Sequence, residues 1–140
     1  MTAPTPPGAV LETALYVDDL DAAARFYGDI VGLREHQRAP GRHLFMRAET
    51  AMLMLFVAEA TEEPSEGKFP VPPHGARGPG HVCFRISPGE TEAWARHLAA
   101  HDVTVEADFH WPNGVRSLYV RDPAQNSVEF AEAKLWDFDT

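Results

Sequence analysis

The chain has 140 residues, 44% of them hydrophobic, which is enough for one domain or for two small modules sharing a core. Twelve Lys and Arg against twenty-one Asp and Glu leave a formal charge of −9, which repels phosphate backbones and anionic lipid. No nucleic-acid or membrane partner is therefore expected, and small molecules are the expected ligands. Cys83 stands alone, so an intrachain disulfide and the paired thiolates of zinc sites are excluded, and a reducing compartment fits.

Residues 1–8 are proline-rich and expected to lack regular structure. No basic segment leads there into an apolar stretch, and no run approaches the ~18 apolar residues of a membrane-spanning helix, so a cytoplasmic protein is expected. Ala9 to Val17 alternates as a strand, with Leu11, Thr13, Leu15 and Val17 on one face and Glu12, Ala14 and Tyr16 on the other. Asp18-Asp19 supplies a helix N-cap, and Leu20, Ala23, Ala24, Tyr27, Ile30 and Val31 recur at helical spacing until Gly32. Strands are predicted over Leu33 to Arg38, Arg42 to Ala48 and Ala51 to Val57, so residues 9–57 form a first βαβββ module. Residues 58–79 turn acidic and then rich in Pro and Gly, the composition of a linker or a functional lid.

From Gly80 the plan repeats. His81 to Ile86 is a strand, Glu90 to His101 a helix, Val103 to Phe109 a strand, and Trp111-Pro112-Asn113-Gly114 a turn. A hairpin follows, in which two alternating runs flank Asp122-Pro123-Ala124-Gln125-Asn126. Its second strand points Val128 and Phe130 to one face and Ser127, Glu129 and Ala131 to the other. Glu129 and Glu12 are both mid-strand carboxylates, and each must face solvent, meet a cation or lose its charge. Glu12–Val17 overlays His81–Ile86 at a shift of 69, Leu44–Arg47 overlays Leu118–Arg121 at 74, and Leu53–Leu55 overlays Val128–Phe130 at 75. Three registers in one order mark an internal duplication, with a second module over 80–133 and a C-terminal tail over 134–140.

Leu15-Tyr16-Val17-Asp18-Asp19-Leu20 leading to Phe26-Tyr27 and Val31-Gly32-Leu33, then Gly80-His81-Val82, then Tyr119 through Asp122-Pro123 to Glu129, resemble the vicinal oxygen chelate superfamily of glyoxalases, extradiol dioxygenases and bleomycin and fosfomycin resistance proteins. The resemblance covers most of residues 9–133. It implies an α+β fold in which two βαβββ modules form a half-open mixed β-barrel cleft flanked by helices. It also implies a homodimer, in which modules of different subunits can share a site. The family's four ligand positions fall on Glu12, Met54, His81 and Glu129. A methionine at the second position argues against the four-ligand glyoxalase type, and the resemblance then implies a three-ligand site of Glu12, His81 and Glu129, closer to an extradiol dioxygenase. Such a hard set suits Fe(II) or Mn(II), with Ni, Co, Zn or Mg as further candidates.

Other residues carry two readings each. Tyr119 is a substrate-contacting phenol by the resemblance, or a packed aromatic. His43 is an inward acid/base or a surface imidazole. His74 is carried over the cleft by the 58–79 loop, or solvated. Arg116 and Arg85 steer an anionic substrate, or pair with surface acids. Trp111 and His110 stack on a planar ligand near the cleft mouth, or only shape a turn. Leu135-Trp136-Asp137-Phe138 is apolar enough to dock on this subunit or on a partner. The expected function is a divalent-metal-dependent enzyme of the dioxygenase type acting on a small substrate with vicinal oxygens. A glyoxalase-like lyase or isomerase and a metal-free, drug-sequestering protein are the alternatives.

Overall fold

A computed structural model describes residues 2–65, 67 and 69–139. Its elements are β1 (Glu12–Tyr16), α1 (Leu20–Ala24) continuing as a wider π-helical turn over Arg25–Ile30, β2 (Arg34–Ala39), β3 (His43–Arg47), β4 (Met52–Phe56) and α2 (Ala58–Glu62). There follow β5 (His81–Ile86), α3 (Thr91–Ala100), β6 (Ala107–His110), β7 (Arg116–Arg121), β8 (Ser127–Glu132) and a 3₁₀ turn over Ala133–Trp136. They build two four-stranded sheets, ordered β1-β4-β3-β2 and β5-β8-β7-β6. In each, the first strand lies parallel to the last and the remaining pairs are antiparallel. The fold is α+β with two like modules, as expected, and its two mixed sheets stay open rather than closing into a barrel.

Local chemistry accounts for the elements. The Asp19 carboxylate accepts the Ala22 N–H at 3.0 Å and caps α1, which buries Leu20 and Ala23. Gly32, at φ +92°, supplies the left-handed residue that lets the chain leave the helix. Strand alternation buries Leu44 and Met46 of β3, Leu53 and Leu55 of β4, Leu118 and Val120 of β7, and Val128 and Phe130 of β8. With Phe26, Tyr27 and Leu98 these form one cluster, so both sheets share a core on their helix-bearing sides.

A polar clamp fastens the modules beside this core. The Tyr27 hydroxyl donates to Asp122 Oδ2 at 2.7 Å, and both residues are buried. Asp122 Oδ1 also accepts the N–H groups of Ala124 and Asn126. Asn126 Nδ2 donates to the Tyr16 carbonyl at 3.0 Å, and its Oδ1 accepts the Gly80 N–H at 2.7 Å. A Cβ at Gly80 would stand 2.9 Å from Leu15 Cδ2, so a larger residue here would have to displace the end of that side chain.

Several local expectations are corrected. The strand predicted from Val103 begins at Ala107, and the 58–79 segment opens with a helix because Thr61 and Ala58 find cover there. Arg42 donates to the Ala60 carbonyl at 2.8 Å and fixes that helix to the first sheet. In the C-terminal segment Trp136 and Phe138 are 75% and 68% exposed, so this chain offers them no docking place. No helix of the described residues is long and apolar enough to cross a membrane.

Candidate functional site

The face of the second sheet opposite the core carries His81 and Cys83 from β5, Ser117 and Tyr119 from β7, and Glu129 from β8. Pairing register sets Glu129 between Cys83 and Tyr119. Glu129 is 4% exposed, and a carboxylate so buried requires partners. Its Oε2 accepts from the Ser117 hydroxyl at 2.6 Å, and its Oε1 lies 3.3 Å from His81 Nε2. His81 Nδ1 lies 3.1 Å from the Ser127 carbonyl and 3.3 Å from the Ser127 hydroxyl, so it donates to the first in one tautomer and accepts from the second in the other. With the proton on Nδ1, Nε2 turns a lone pair toward the carboxylate oxygen, a contact that a shared cation would make favourable; with the proton on Nε2, the ring donates to Oε1. In the first arrangement the two atoms form a donor pair that fits one edge of a divalent-ion site.

The neighbours keep their protons. Cys83 is exposed as a residue, yet desolvation of its thiol, and then Glu129, push it up to about 12, and burial, and then Glu129, push the Tyr119 phenol up to about 12. Both groups stay neutral near pH 7. Tyr119 stacks with His81 at 6.0 Å and with Phe109 at 5.9 Å, and Phe109 meets Trp111 edge-on at 4.8 Å. Trp111 donates its indole N–H to Ser117 Oγ at 2.8 Å, so its polar end is turned inward.

The corresponding face of the first sheet is aromatic. Glu12, Ala14 and Tyr16 of β1 pair with Met52, Met54 and Phe56 of β4. His43 stacks on Phe45 at 4.0 Å and meets Phe56 edge-on at 6.1 Å. Both His43 ring nitrogens are buried without a hydrogen-bond partner, and burial, then Arg42, holds its pKa below the usual histidine value. His74 does arrive from the 58–79 segment, its Nδ1 sharing a 2.7 Å hydrogen bond with the Tyr16 hydroxyl and its ring meeting Phe56 at 4.6 Å. The His74 N–H donates to the Thr61 carbonyl, so the segment is tied to the sheet at this point.

The expected convergence of Glu12 with His81 and Glu129 within one chain is not found. Among the described residues no group of three or more His, Cys, Asp or Glu side chains is placed to hold a metal ion. Glu12 stands exposed on β1, and among the described residues no ring contact links the His43–Phe56 cluster with the His81–Tyr119 stack. The physical reason is the shared core: the sheets meet through their helix-bearing sides, leaving the opposite faces apart. Arg116 is paired with acids, with Nε and Nη2 on Asp108 at 2.7 and 2.8 Å and Nη1 on Glu92 at 2.7 Å, so two carboxylates already occupy its guanidinium. A groove of about 590 Å³ between the modules is lined by Leu33, Leu53, Val82, Cys83, Phe84 and Trp94, and neither His81 nor Glu129 lines it. Ser117 is the residue that the sequence reading missed. The signal was the shared face of Ser117 and Tyr119, two residues apart on a strand.

Comparison with known proteins gives a match to the family model described as the Glyoxalase/Bleomycin resistance protein/Dioxygenase superfamily over residues 9–130. A solved structure of lactoylglutathione lyase from Agrobacterium tumefaciens is 44% identical, with a TM-score of 0.90, covering 96% of this chain and 100% of that one. A glyoxalase/bleomycin resistance protein/dioxygenase from Nocardioides is 22% identical, with a TM-score of 0.69 over 94% of this chain and 85% of that one, a likeness of fold. No curated protein gives a significant match.

Proposed function

Because the chain belongs to the glyoxalase/bleomycin resistance protein/dioxygenase superfamily, we propose that it is a divalent-metal-dependent lyase or isomerase that moves a proton within a small substrate bound through vicinal oxygens. The observation that carries this reading is the His81 Nε2 to Glu129 Oε1 approach at 3.3 Å, two potential ligand atoms converging on one face of the second sheet. The 44% identity to a lactoylglutathione lyase supports lyase or isomerase chemistry. A bound ion would supply Lewis-acid polarisation of two adjacent substrate oxygens. Around it, Glu129 and His81 act as ligands, and the Tyr119 phenol, protonated at neutral pH, donates to a substrate oxygen. Glu12 acts as the third ligand from a second copy of the chain, since one chain holds it apart from the pair. The aromatic face of His43, Phe45, Phe56 and His74 then forms the opposite, water-excluding wall in that dimer.

Met54 supports a second reading, an oxygenase with three protein ligands, because it leaves the fourth family position without a hard donor. Elemental analysis of protein purified without added metal is expected to find a stoichiometric divalent ion, lost in Glu129→Ala. Mixing Glu12→Ala with Glu129→Ala subunits is expected to restore one intact site per mixed dimer. Turnover of a thiol–methylglyoxal adduct without oxygen uptake separates the lyase from the oxygenase, which would consume oxygen with catechols. Protein that stays metal-free and turns over neither substrate defeats both readings.

A further inference from the structure

Ser117 is fully buried and engaged on two sides: it accepts the Trp111 indole N–H at 2.8 Å and donates to Glu129 Oε2 at 2.6 Å. Chemistry fixes the direction of this chain. An indole nitrogen can only donate, so the serine oxygen accepts there and its single proton is left for the carboxylate. Trp111 is itself held in the β6–β7 turn, where its N–H donates to the Val115 carbonyl at 2.9 Å and its carbonyl accepts the Gly114 N–H at 2.8 Å. Asn113 Nδ2 donates from the same turn to the Leu135 carbonyl at 3.2 Å. The two oxygens of Glu129 are thus unlike: Oε2 is occupied by a short, charge-assisted bond, and Oε1 is turned toward His81.

We infer that Ser117, and Trp111 through it, are positioning residues that hold Glu129 so that Oε1 alone meets a divalent cation shared with His81. The inference rests on the cation reading above. It adds a selectivity to it. A carboxylate with one oxygen held by a hydroxyl binds through the other, which suits small ions with short, directional bonds. Calcium, which favours bidentate carboxylates and more ligands, is disfavoured. Because the carboxylate is oriented before the ion arrives, its ordering is not charged against binding.

The test uses full-length protein stripped of metal, titrated calorimetrically with MnCl₂ and separately with CaCl₂, together with proton–nitrogen spectra of the indole groups recorded before any metal is added. Ser117→Ala is expected to weaken Mn²⁺ binding by about tenfold or more and to narrow the preference for Mn²⁺ over Ca²⁺. Trp111→Phe, which keeps an aromatic ring in a half-buried position, is expected to change both in the same direction by less. In metal-free protein Glu129→Gln is expected to shift the Trp111 indole resonance, and Ser117→Ala to speed its exchange with solvent. An indole resonance indifferent to Glu129→Gln overturns the relay, whatever the protein binds. Manganese bound by both variants as tightly as by the wild type, yet lost in Glu129→Ala, overturns the positioning role while sparing the cation reading. Wild-type protein that binds no cation, with an indole that still answers to Glu129→Gln, defeats the cation reading and reduces the relay to a structural bond.

Discussion

Tyr27→Phe isolates the clamp between the modules. The ring of Tyr27 is completely buried and meets Phe26 edge-on at 4.9 Å, contacts that phenylalanine keeps, so only the 2.7 Å bond to Asp122 is lost. Burial, then the Asp122 charge, raises the pKa of this phenol, so it remains a neutral donor to the carboxylate at any ordinary pH. A hydrogen bond to a charged acceptor contributes roughly 1.5–3 kcal/mol, and Asp122 keeps its bonds from Ala124 and Asn126, so the loss should stay in that range. At about 2–4 °C per kcal/mol for a chain of this size, the melting temperature should fall by roughly 3–12 °C. Urea melts at pH 7 should give a lower midpoint with an unchanged slope, because the surface exposed on unfolding is the same. Asp122→Ala should cost more than Tyr27→Phe, since it strands the tyrosine hydroxyl and the Asn126 N–H together. A Tyr27→Phe loss below about 0.5 kcal/mol, the ordinary scatter of surface changes, would refute the clamp.

The Cys83 thiol, pushed up to about 12, should react with a disulfide reagent at pH 8 at least about a hundredfold more slowly than an ordinary thiol, and Glu129→Gln should hasten it. Equal rates in the two proteins would show that Glu129 does not act on the thiol. His43, with its lowered pKa, stays neutral when folded while the unfolded chain takes up a proton near the usual value of about 6.5. Its contribution is therefore present above that value and is lost as the pH falls toward the lower folded value. His43→Phe should flatten this acid limb and leave stability at pH 7 equal or higher, which melts at pH 5 and 7 will measure. Tyr16→Phe removes the hydrogen bond to His74 and should make residues 63–79 more sensitive to limited proteolysis while the melting temperature changes little. An unchanged cleavage rate would place the anchor of that segment elsewhere.

Much of the architecture was legible because it rests on short-range periodicity. Alternation assigned the faces of Glu12, Glu129 and their neighbours, and the three matching registers revealed two modules. The Asp122 to Asn126 segment reads as a turn, but nothing local announces that these two side chains reach Tyr27 and the Tyr16 carbonyl in the other module. The site was half legible for a related reason. His81 and Glu129 sit on parallel neighbouring strands, where register fixes their approach. Whether Glu12 joins them depends on how one sheet is turned against the other, which is decided by packing of the core on the opposite faces of both sheets. Ser117 escaped because alternation puts it on the face of Tyr119 without showing that its hydroxyl reaches Glu129, and the pairing of Arg116 with Asp108 and Glu92 depends on the fold of the β6–β7 hairpin and of α3.

The parallel partnership of each module's first strand with its last also bears on how the chain emerges from the ribosome. β1 must wait for β4, and β5 for β8, so neither half can settle from neighbouring contacts alone. Even after β4 has appeared, the inner side of the first half lacks the cover that Leu118, Val128 and Phe130 of the second module provide. The nascent polypeptide therefore carries a greasy surface until the second module has emerged, a natural customer for chaperones and the stage at which aggregation would begin.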